Sequence, residues 1–264
     1  MGIPSADFKL KLAAASFMSF LIGIAAGLLG VGGGEFRLPI LICLLGFPVA
    51  VAAAENLIVG IMTVSAGLVT RMAVGILDYS TIWLIASMSA GSVVGAYAGA
   101  VFTARVGERR LKLAMAALLV VLGLKFIHGA FSGEVVGAPI VGFPLDLVLG
   151  ALIGAGIGAV CGALGVAGGE FRIPALVYLF GMGVKGAGTV SLFVSLPSVL
   201  AGSVGHGKVG HLDRRLAYTC VAMGVPAVTG SFIGAALVPG ATESLLKVFL
   251  GVILLLATVR MVKP

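Results

Sequence analysis

The chain has 264 residues, of which 60% are hydrophobic and 10% are charged, and its mean hydropathy is +1.21. Soluble domains carry about 25% charged residues, so this composition excludes a soluble enzyme fold, a secreted disulfide scaffold and a disordered chain. The net charge of +7 fits the excess of Lys and Arg in cytoplasmic loops of membrane proteins. The 41 glycines favour closely packed helices over a lipid-facing β-barrel. We therefore predict an all-α polytopic membrane protein.

The hydrophobic segments of the sequence fall into two series of five. The first series covers 8–30, 37–48, 49–71, 79–104 and 110–128. The second series covers 145–165, 172–183, 184–205, 215–238 and 244–262. Four segments of each series reach the length of about 20 residues that a membrane helix needs, and one is too short to cross unaided. Lys9 and Lys11 precede the apolar run from Leu12 to Leu29, as in a signal peptide, but the length of that run favours an uncleaved membrane helix.

The two series form an internal repeat with a constant offset of 135 residues. Gly27-Leu-Leu-Gly-Val-Gly-Gly-Gly-Glu-Phe-Arg-Leu-Pro39 returns as Gly162-Ala-Leu-Gly-Val-Ala-Gly-Gly-Glu-Phe-Arg-Ile-Pro174, with ten of thirteen positions identical. We call these stretches the first and second Gly-rich motifs. The offset continues through both halves, as internal repeats do. We predict a first transmembrane repeat at 1–130, a connecting loop at 131–143 and a second repeat at 144–264.

The number of crossings in each repeat decides how the repeats are oriented. If the short segment crosses, each repeat crosses five times and the repeats are inverted. If it is re-entrant, each repeat crosses four times and the repeats are parallel. With a cytoplasmic N-terminus, the inverted arrangement places 11 basic residues inside and 4 outside, against 9 and 6 for the parallel arrangement. Because cytoplasmic loops are enriched in Lys and Arg, we favour inverted repeats with both termini in the cytoplasm.

The Gly-rich motifs are the best candidates for binding a solute, because broken segments at matching positions of two halves are typical of a transporter's binding site. Their glycines allow backbone conformations that present successive N–H groups to a ligand. These glycines are Gly32, Gly33 and Gly34 in the first motif and Gly168 and Gly169 in the second. The helix that follows offers free N–H groups and a positive dipole end to an anion, and Arg37 and Arg172 add guanidinium groups suited to oxyanions. Alternatively, the glycines serve helix packing, and Glu35 and Arg37 form a structural ion pair.

Other polar positions are weaker candidates. Asn56 and Ser191 occupy equivalent positions in the two repeats, where they either contact a substrate or hydrogen-bond a neighbouring helix. Carboxyl groups inside a membrane are costly and usually functional, which makes three of them candidates for proton coupling: Glu35, Glu170 and Glu55. Only Glu55 lacks an acidic counterpart in the other repeat.

Two further features are better explained by helix packing or by position in the membrane than by ligand binding. Gly91, Gly95 and Gly99 have the spacing of a small-residue ridge that packs against another helix. His206 aligns with Arg71 at the far end of its helix, and we expect it at the membrane interface.

The sequence has no motif of an enzyme, a metal site or a nucleotide site. His-Glu-x-x-His, Gly-x-Ser-x-Gly and Walker motifs are absent. The three cysteines show no Cys-x-x-Cys spacing, and His128 and His211 lie near loops without the spacing of metal ligands. We therefore expect no catalytic residue, no metal and no cofactor.

Gly-Val-Gly-Gly-Gly-x-x-x-x-Pro, duplicated half a chain later, resembles the signature of the sulfite exporter TauE/SafE family of membrane transporters. Gly188-Thr189-Val190-Ser191-Leu192, followed by Pro197, also resembles the family's second-half pattern. The charged Glu-Phe-Arg of both motifs and Glu55-Asn56 depart from that pattern.

The resemblance implies a multi-pass inner-membrane transporter that moves sulfite, organosulfonates or related small anions. We expect a secondary transporter with alternating access, whose partners are a small anionic substrate and the lipid bilayer and not nucleic acid. An anion channel and a transporter of another small organic anion are the alternatives. The identity of the anion, the direction of transport and the oligomeric state stay open.

Overall fold

The computed structural model describes residues 6–102, 108–132, 142–209 and 216–262. All regular elements in these ranges are helical. The helices are α1 (Ala6–Leu29), α2 (Gly34–Pro39), α3 (Val49–Ala73), α4 (Ile82–Phe102), α5 (Glu108–Phe131), α6 (Leu145–Leu164), α7 (Gly169–Tyr178), α8 (Val184–Lys208), α9 (Leu216–Ala236) and α10 (Glu243–Val262). Most of the predicted connecting loop, His211 and several basic residues that weigh in the predicted orientation, among them Arg105 and Arg214, lie outside the described residues.

Six of the helices are long and apolar enough to cross a membrane, namely α1, α3, α4, α6, α8 and α9. The chain is therefore a multi-pass membrane protein, as its composition predicts. α5 and α10 have 24 and 20 residues and pack against each other through Gly123 and Gly251. The apolar part of α5 that the structure describes is shorter, Leu119–Phe131, and the crossing of the membrane by α5 and α10 stays a prediction.

The two predicted short segments are helices that begin directly at the Gly-rich motifs. α2 continues into a π-helical turn at Ile40–Leu44, and α7 runs without such a turn. Pro39 lies at the junction of α2 and this turn. Within the turn, the N–H of Leu45 reaches back five residues to the carbonyl of Ile40 at 3.1 Å. Pro174 occupies the equivalent position in α7, so the proline alone does not produce the turn.

The short helix of the first repeat returns alongside α1. A Cβ added at Gly33 would meet Ile22 and Ala26 of α1, so the chain turns back alongside α1 directly after that helix ends. Leu41 then shares a buried cluster with Leu12, near the start of α1. The short helix therefore runs antiparallel to α1, toward the start of that helix.

α3 and α8 occupy equivalent positions in the sequence and cross each other in opposite directions. Gly67 of α3 lies against Leu192 of α8, whereas Gly202 of α8 lies against Leu57 of α3. A residue late in one helix therefore meets a residue early in the other.

Two further helix pairs flank α3 and α8 and run parallel. α4 packs on α6 through Gly91, Gly95 and Gly99, and α1 packs on α9 through Gly23 and Gly27. A Cβ at Gly95 would lie 2.1 Å from the carbonyl oxygen of Ala155, which confirms that this glycine ridge serves close packing.

Candidate functional site

The chain turns sharply at each Gly-rich motif because glycines there adopt left-handed backbone angles. Gly32 and Gly33 have φ of 90° and 73°, and Gly168 has φ of 80°. These values lie in the region that side chains with a Cβ rarely adopt. Gly33 and Gly168 directly precede α2 and α7, so each short helix starts where the left-handed residue ends.

The two motifs touch each other inside the protein. A Cβ at Gly32 would lie 2.6 Å from Cβ of Ala167, the residue at the equivalent position of the second motif. Gly169 likewise approaches the backbone of Val31 within the distance that only glycine permits. The residues of both motifs from Gly30 to Gly34 and from Gly165 to Gly169 are buried. The two motifs thus form one buried junction within the bundle and do not lie at two separate positions on its surface.

Arg37 is fully buried and its guanidinium group binds the protein around this junction. Nη2 donates to the carbonyl of Gly32 at 3.2 Å and to the Thr63 hydroxyl at 3.3 Å, and Nη1 donates to Oδ1 of Asn56 at 3.3 Å. Within the described part of the chain, its Nε is buried without a hydrogen-bond partner. One N–H of this cation therefore has no acceptor among the described residues.

Arg172 repeats this arrangement in the second motif. It is fully buried, and Nη1 donates to the carbonyl of Ala167 at 3.4 Å and to the Ser195 hydroxyl at 2.6 Å. Nη2 donates to the hydroxyl of Ser92 at 3.1 Å. Its Nε, like that of Arg37, has no partner among the described residues. The two guanidinium groups thus hold the carbonyls of the two residues that touch each other, Gly32 and Ala167.

Asn56 and Ser191 each bind the backbone of the opposite motif. Nδ2 of Asn56 donates to the carbonyl of Gly165 at 2.7 Å and to that of Gly34 at 2.9 Å. The Ser191 hydroxyl donates to the carbonyl of Gly30 at 3.0 Å. These equivalent bonds hold the motifs together, and both side chains are buried. Their geometry accords with the interhelical hydrogen bonding that was one of the two alternatives for this pair.

Glu35 and Glu170 are close enough for their charges to interact. Both carboxyl oxygens of Glu35 and Oε2 of Glu170 are buried without a hydrogen-bond partner in the described ranges. The guanidinium group of Arg37 binds other partners, and neither carboxyl oxygen of Glu35 has a hydrogen-bond partner in these ranges, so Glu35 and Arg37 do not form the structural ion pair that we considered as an alternative. The junction therefore contains two arginines and two carboxyl groups that are not paired with each other.

Glu55 lies elsewhere, between α3 and α9. It is fully buried, and its carboxyl group interacts with Thr219 and Cys220 of α9. The structure therefore separates Glu55 from the pair formed by Glu35 and Glu170.

Several polar neighbours of the junction were not singled out from the sequence. Thr63 and Ser92 bind the two guanidinium groups, and Ser92 also lies 3.4 Å from the hydroxyl of Ser198. Thr63 and Ser198 are themselves equivalent under the offset of 135 residues. The repeat relation was the available signal for them, whereas Ser92 is hidden in the glycine ridge of α4.

Arg71 and His206 cap equivalent helix ends. Arg71 is buried and donates to the carbonyls of Gly27, at 3.1 and 3.3 Å, and of Leu28, at 2.8 Å. The ring nitrogen Nε2 of His206 lies 3.0 Å from the carbonyl of Gly162, the equivalent of Gly27. His206 is fully buried in the protein, where it serves a free carbonyl group at the end of α6. Its position at the membrane interface stays a prediction.

Comparisons with known proteins agree with the sequence pattern. A family model described as sulfite exporter TauE/SafE matches residues 4–126 and 138–261. The "Probable membrane transporter protein YunE" of Bacillus subtilis (strain 168) is 28% identical over 117 residues, which cover 44% of this chain and 41% of that protein. The matched region thus spans less than half the length of this curated relative. No solved structure matches the chain.

Proposed function

The chain belongs to the sulfite exporter TauE/SafE family of membrane transporters, and from this premise we propose that it is a secondary transporter of small sulfur-containing anions, sulfite or organosulfonates. One observation carries the proposal: two fully buried arginines flank the junction of the Gly-rich motifs, and the Nε of each has no hydrogen-bond partner among the described residues. A buried N–H without an acceptor is costly, and a bound oxyanion would accept both free N–H groups in charge-assisted hydrogen bonds.

The substrate site that we propose consists of the Gly-rich junction and the polar side chains attached to it. Positive φ values at the motif glycines leave their N–H groups free of regular helical pairing, and the arginines add charge and planar donors. The proposed residues are Gly32, Gly33, Gly34, Arg37, Asn56, Gly168, Gly169, Arg172 and Ser191. Asn56 and Ser191 shape the junction by holding backbone carbonyls of the opposite motif.

We further propose that the two halves are inverted repeats. The opposite directions of the equivalent helices α3 and α8 support this, since parallel repeats would give equivalent helices the same direction. The parallel pairs α1 with α9 and α4 with α6 exchange places under the offset of 135 residues, as an axis in the membrane plane requires. Alternating access then arises when one part of each repeat rocks against the rest, around a site at the repeat interface.

An inner or plasma membrane location with cytoplasmic termini is the corresponding proposal for topology. It rests on the bias of basic residues among the loops. It also rests on the odd number of crossings in each repeat that results when α2 returns to the side where α1 began, because two such repeats place both termini on the same side.

Transport by purified protein in liposomes tests the proposed function. We expect saturable uptake of labelled sulfite or of a labelled sulfonate, and accelerated exchange when unlabelled anion is present inside. Arg37→Ala and Arg172→Ala should abolish uptake, while Lys208→Met, which removes an exposed cation at the end of α8, should leave it intact. Arg37→Lys and Arg172→Lys keep the charge and serve as second variants if the alanine variants fail to fold.

Three results would contradict the proposal in different ways. Full transport by the folded Arg37→Ala/Arg172→Ala double variant would remove the proposed anion site. Conductance far above carrier turnover, without accelerated exchange, would identify an anion channel instead. Uptake confined to carboxylates in a panel of small anions would assign the alternative substrate class.

A further inference from the structure

The charged groups at the junction of the Gly-rich motifs balance one another without forming pairs. Arg37 and Arg172 contribute two positive charges, and Glu35 and Glu170 contribute two negative charges when ionised. Each glutamate interacts electrostatically with the arginine two residues away, and Glu35 also interacts with Glu170. Cys161 of α6 is a further titratable side chain that faces this cluster. The polar side chains that α3 and α8 contribute, such as Asn56 and Ser195, carry no charge.

Binding of an anion changes the net charge of this neutral cluster. If all four side chains stay ionised, each negative charge on the anion leaves a net negative charge in a buried site, at a cost of several kcal/mol. A proton on a carboxyl group removes that charge. Glu35 and Glu170 are the groups placed to accept it, because three of their four oxygens are buried without a hydrogen-bond partner in the described part of the chain and because two adjacent carboxylates repel each other.

We propose that Glu35 and Glu170 are the coupling site of the transporter, and that each negative charge on the anion is accompanied by one proton bound to this pair. The proton comes from water on the side where the anion enters and is released to water on the side where the anion leaves. Transport is then electroneutral. This inference rests on the proposed function and deepens it, since it names the coupling ion and its stoichiometry.

Glu55 is not part of this site. Its carboxyl group faces Thr219 and Cys220 of α9 and has no counterpart in the other repeat, where Val190 occupies the equivalent position. A change at Glu55 therefore leaves the charge balance at the junction unaltered.

The test uses liposomes with a pH-sensitive dye inside and an imposed membrane potential. Labelled methanesulfonate is the first probe, because it carries a fixed single charge and cannot itself carry a proton, and sulfite at alkaline pH is the second. We expect one proton per methanesulfonate and two per divalent sulfite, with fluxes driven by a pH gradient and insensitive to the potential. In detergent, binding of either anion to the purified protein should take up protons in the same ratio.

Carboxamide variants locate the proton. In Glu35→Gln/Glu170→Gln the cluster keeps a permanent positive charge, so remaining flux should lose its proton and become dependent on the membrane potential. Asp78→Asn is the matched control. The Asp78 carboxylate is exposed and accepts a hydrogen bond from the N–H of Ser80, which holds its pKa below the ordinary value. Should the double variant fail to fold, Glu35→Gln alone and the potential-independence of the unmodified protein provide the test.

The outcomes separate this inference from the proposed function. Absence of any anion transport by the folded, unmodified protein would refute the proposed function. Potential-driven transport of methanesulfonate without protons would refute the coupling site and leave the function standing. Loss of proton coupling in Glu55→Gln, with normal coupling in Glu35→Gln/Glu170→Gln, would show that the proton binds Glu55 and would refute our assignment to Glu35 and Glu170.

Discussion

Replacing Asn56 by Leu tests how strongly the two Gly-rich motifs are held together. The amide of Asn56 makes three buried hydrogen bonds, to the carbonyls of Gly34 and Gly165 at 2.9 and 2.7 Å and from Arg37 at 3.3 Å. Leu removes all three and leaves the partners buried. At about 1 kcal/mol for each orphaned partner, the loss in unfolding free energy is about 3 kcal/mol, and at the smaller average of membrane proteins it is about 2 kcal/mol.

Two serine variants calibrate this estimate. Ser191→Ala removes one bond between the motifs, 3.0 Å long, and should cost about 1 kcal/mol. Ser203→Ala removes a bond to the carbonyl four residues earlier in the same helix and should cost less than about 0.5 kcal/mol. Asn56→Ala controls for overpacking, since the amide lies close to Gly34, and we expect it to destabilise at least as much as Asn56→Leu.

Reversible unfolding in mixed micelles, or steric trapping in bicelles, measures these free energies. The expected order of destabilisation is Asn56→Leu, then Ser191→Ala, then Ser203→Ala. If Asn56→Leu and Asn56→Ala were no more destabilising than Ser203→Ala, the contact between the motifs would not depend on this side chain, and our account of the junction would be wrong.

Three further predictions concern backbone strain, helix capping and the support of the arginines. Gly165 and Gly46 have similar φ of 72° and 75°, but a Cβ would lie 2.4 Å from Ala53 only at Gly165. In thermal unfolding, Gly165→Ala should therefore lower the unfolding free energy by about 1–3 kcal/mol more than Gly46→Ala does. Equal losses would contradict the close packing at Gly165. Arg71→Lys should lower stability by about 1–3 kcal/mol, because a lysine cannot serve all the carbonyls that Arg71 binds; an unchanged melting temperature would exclude its capping role. Ser195→Ala removes the 2.6 Å bond to Arg172 and should raise the KM for the anion several-fold at unchanged protein level, whereas Ser203→Ala should not.

Much of the architecture follows from the sequence because hydropathy and repetition are strong local signals. The six long apolar helices and the two short ones lie close to their predicted positions. The short helices start at Gly34 and Gly169, three residues before the hydrophobic segments at 37 and 172, because hydropathy marks only where apolar residues begin. The helix itself starts after the left-handed glycine, at Gly33 or Gly168.

The partners of buried polar side chains could not be predicted in the same way. Ser92 binds Arg172 across 80 positions of the chain, and nothing in its neighbourhood distinguishes it from the glycines that surround it. His206 lies near the end of α8, and nothing in its sequence neighbourhood indicates that it binds a carbonyl at the end of α6. Such contacts depend on which helices become neighbours, and this is determined by tertiary packing that a single sequence does not reveal.

Equilibrium binding of labelled sulfite to the purified protein tests most directly whether the two motifs form a single anion site. If the junction is one site, saturation corresponds to one anion per chain, and Arg37→Ala or Arg172→Ala alone abolishes binding. Two anions per chain, each lost with a different arginine, would mean that the motifs bind independently and would contradict the shared site.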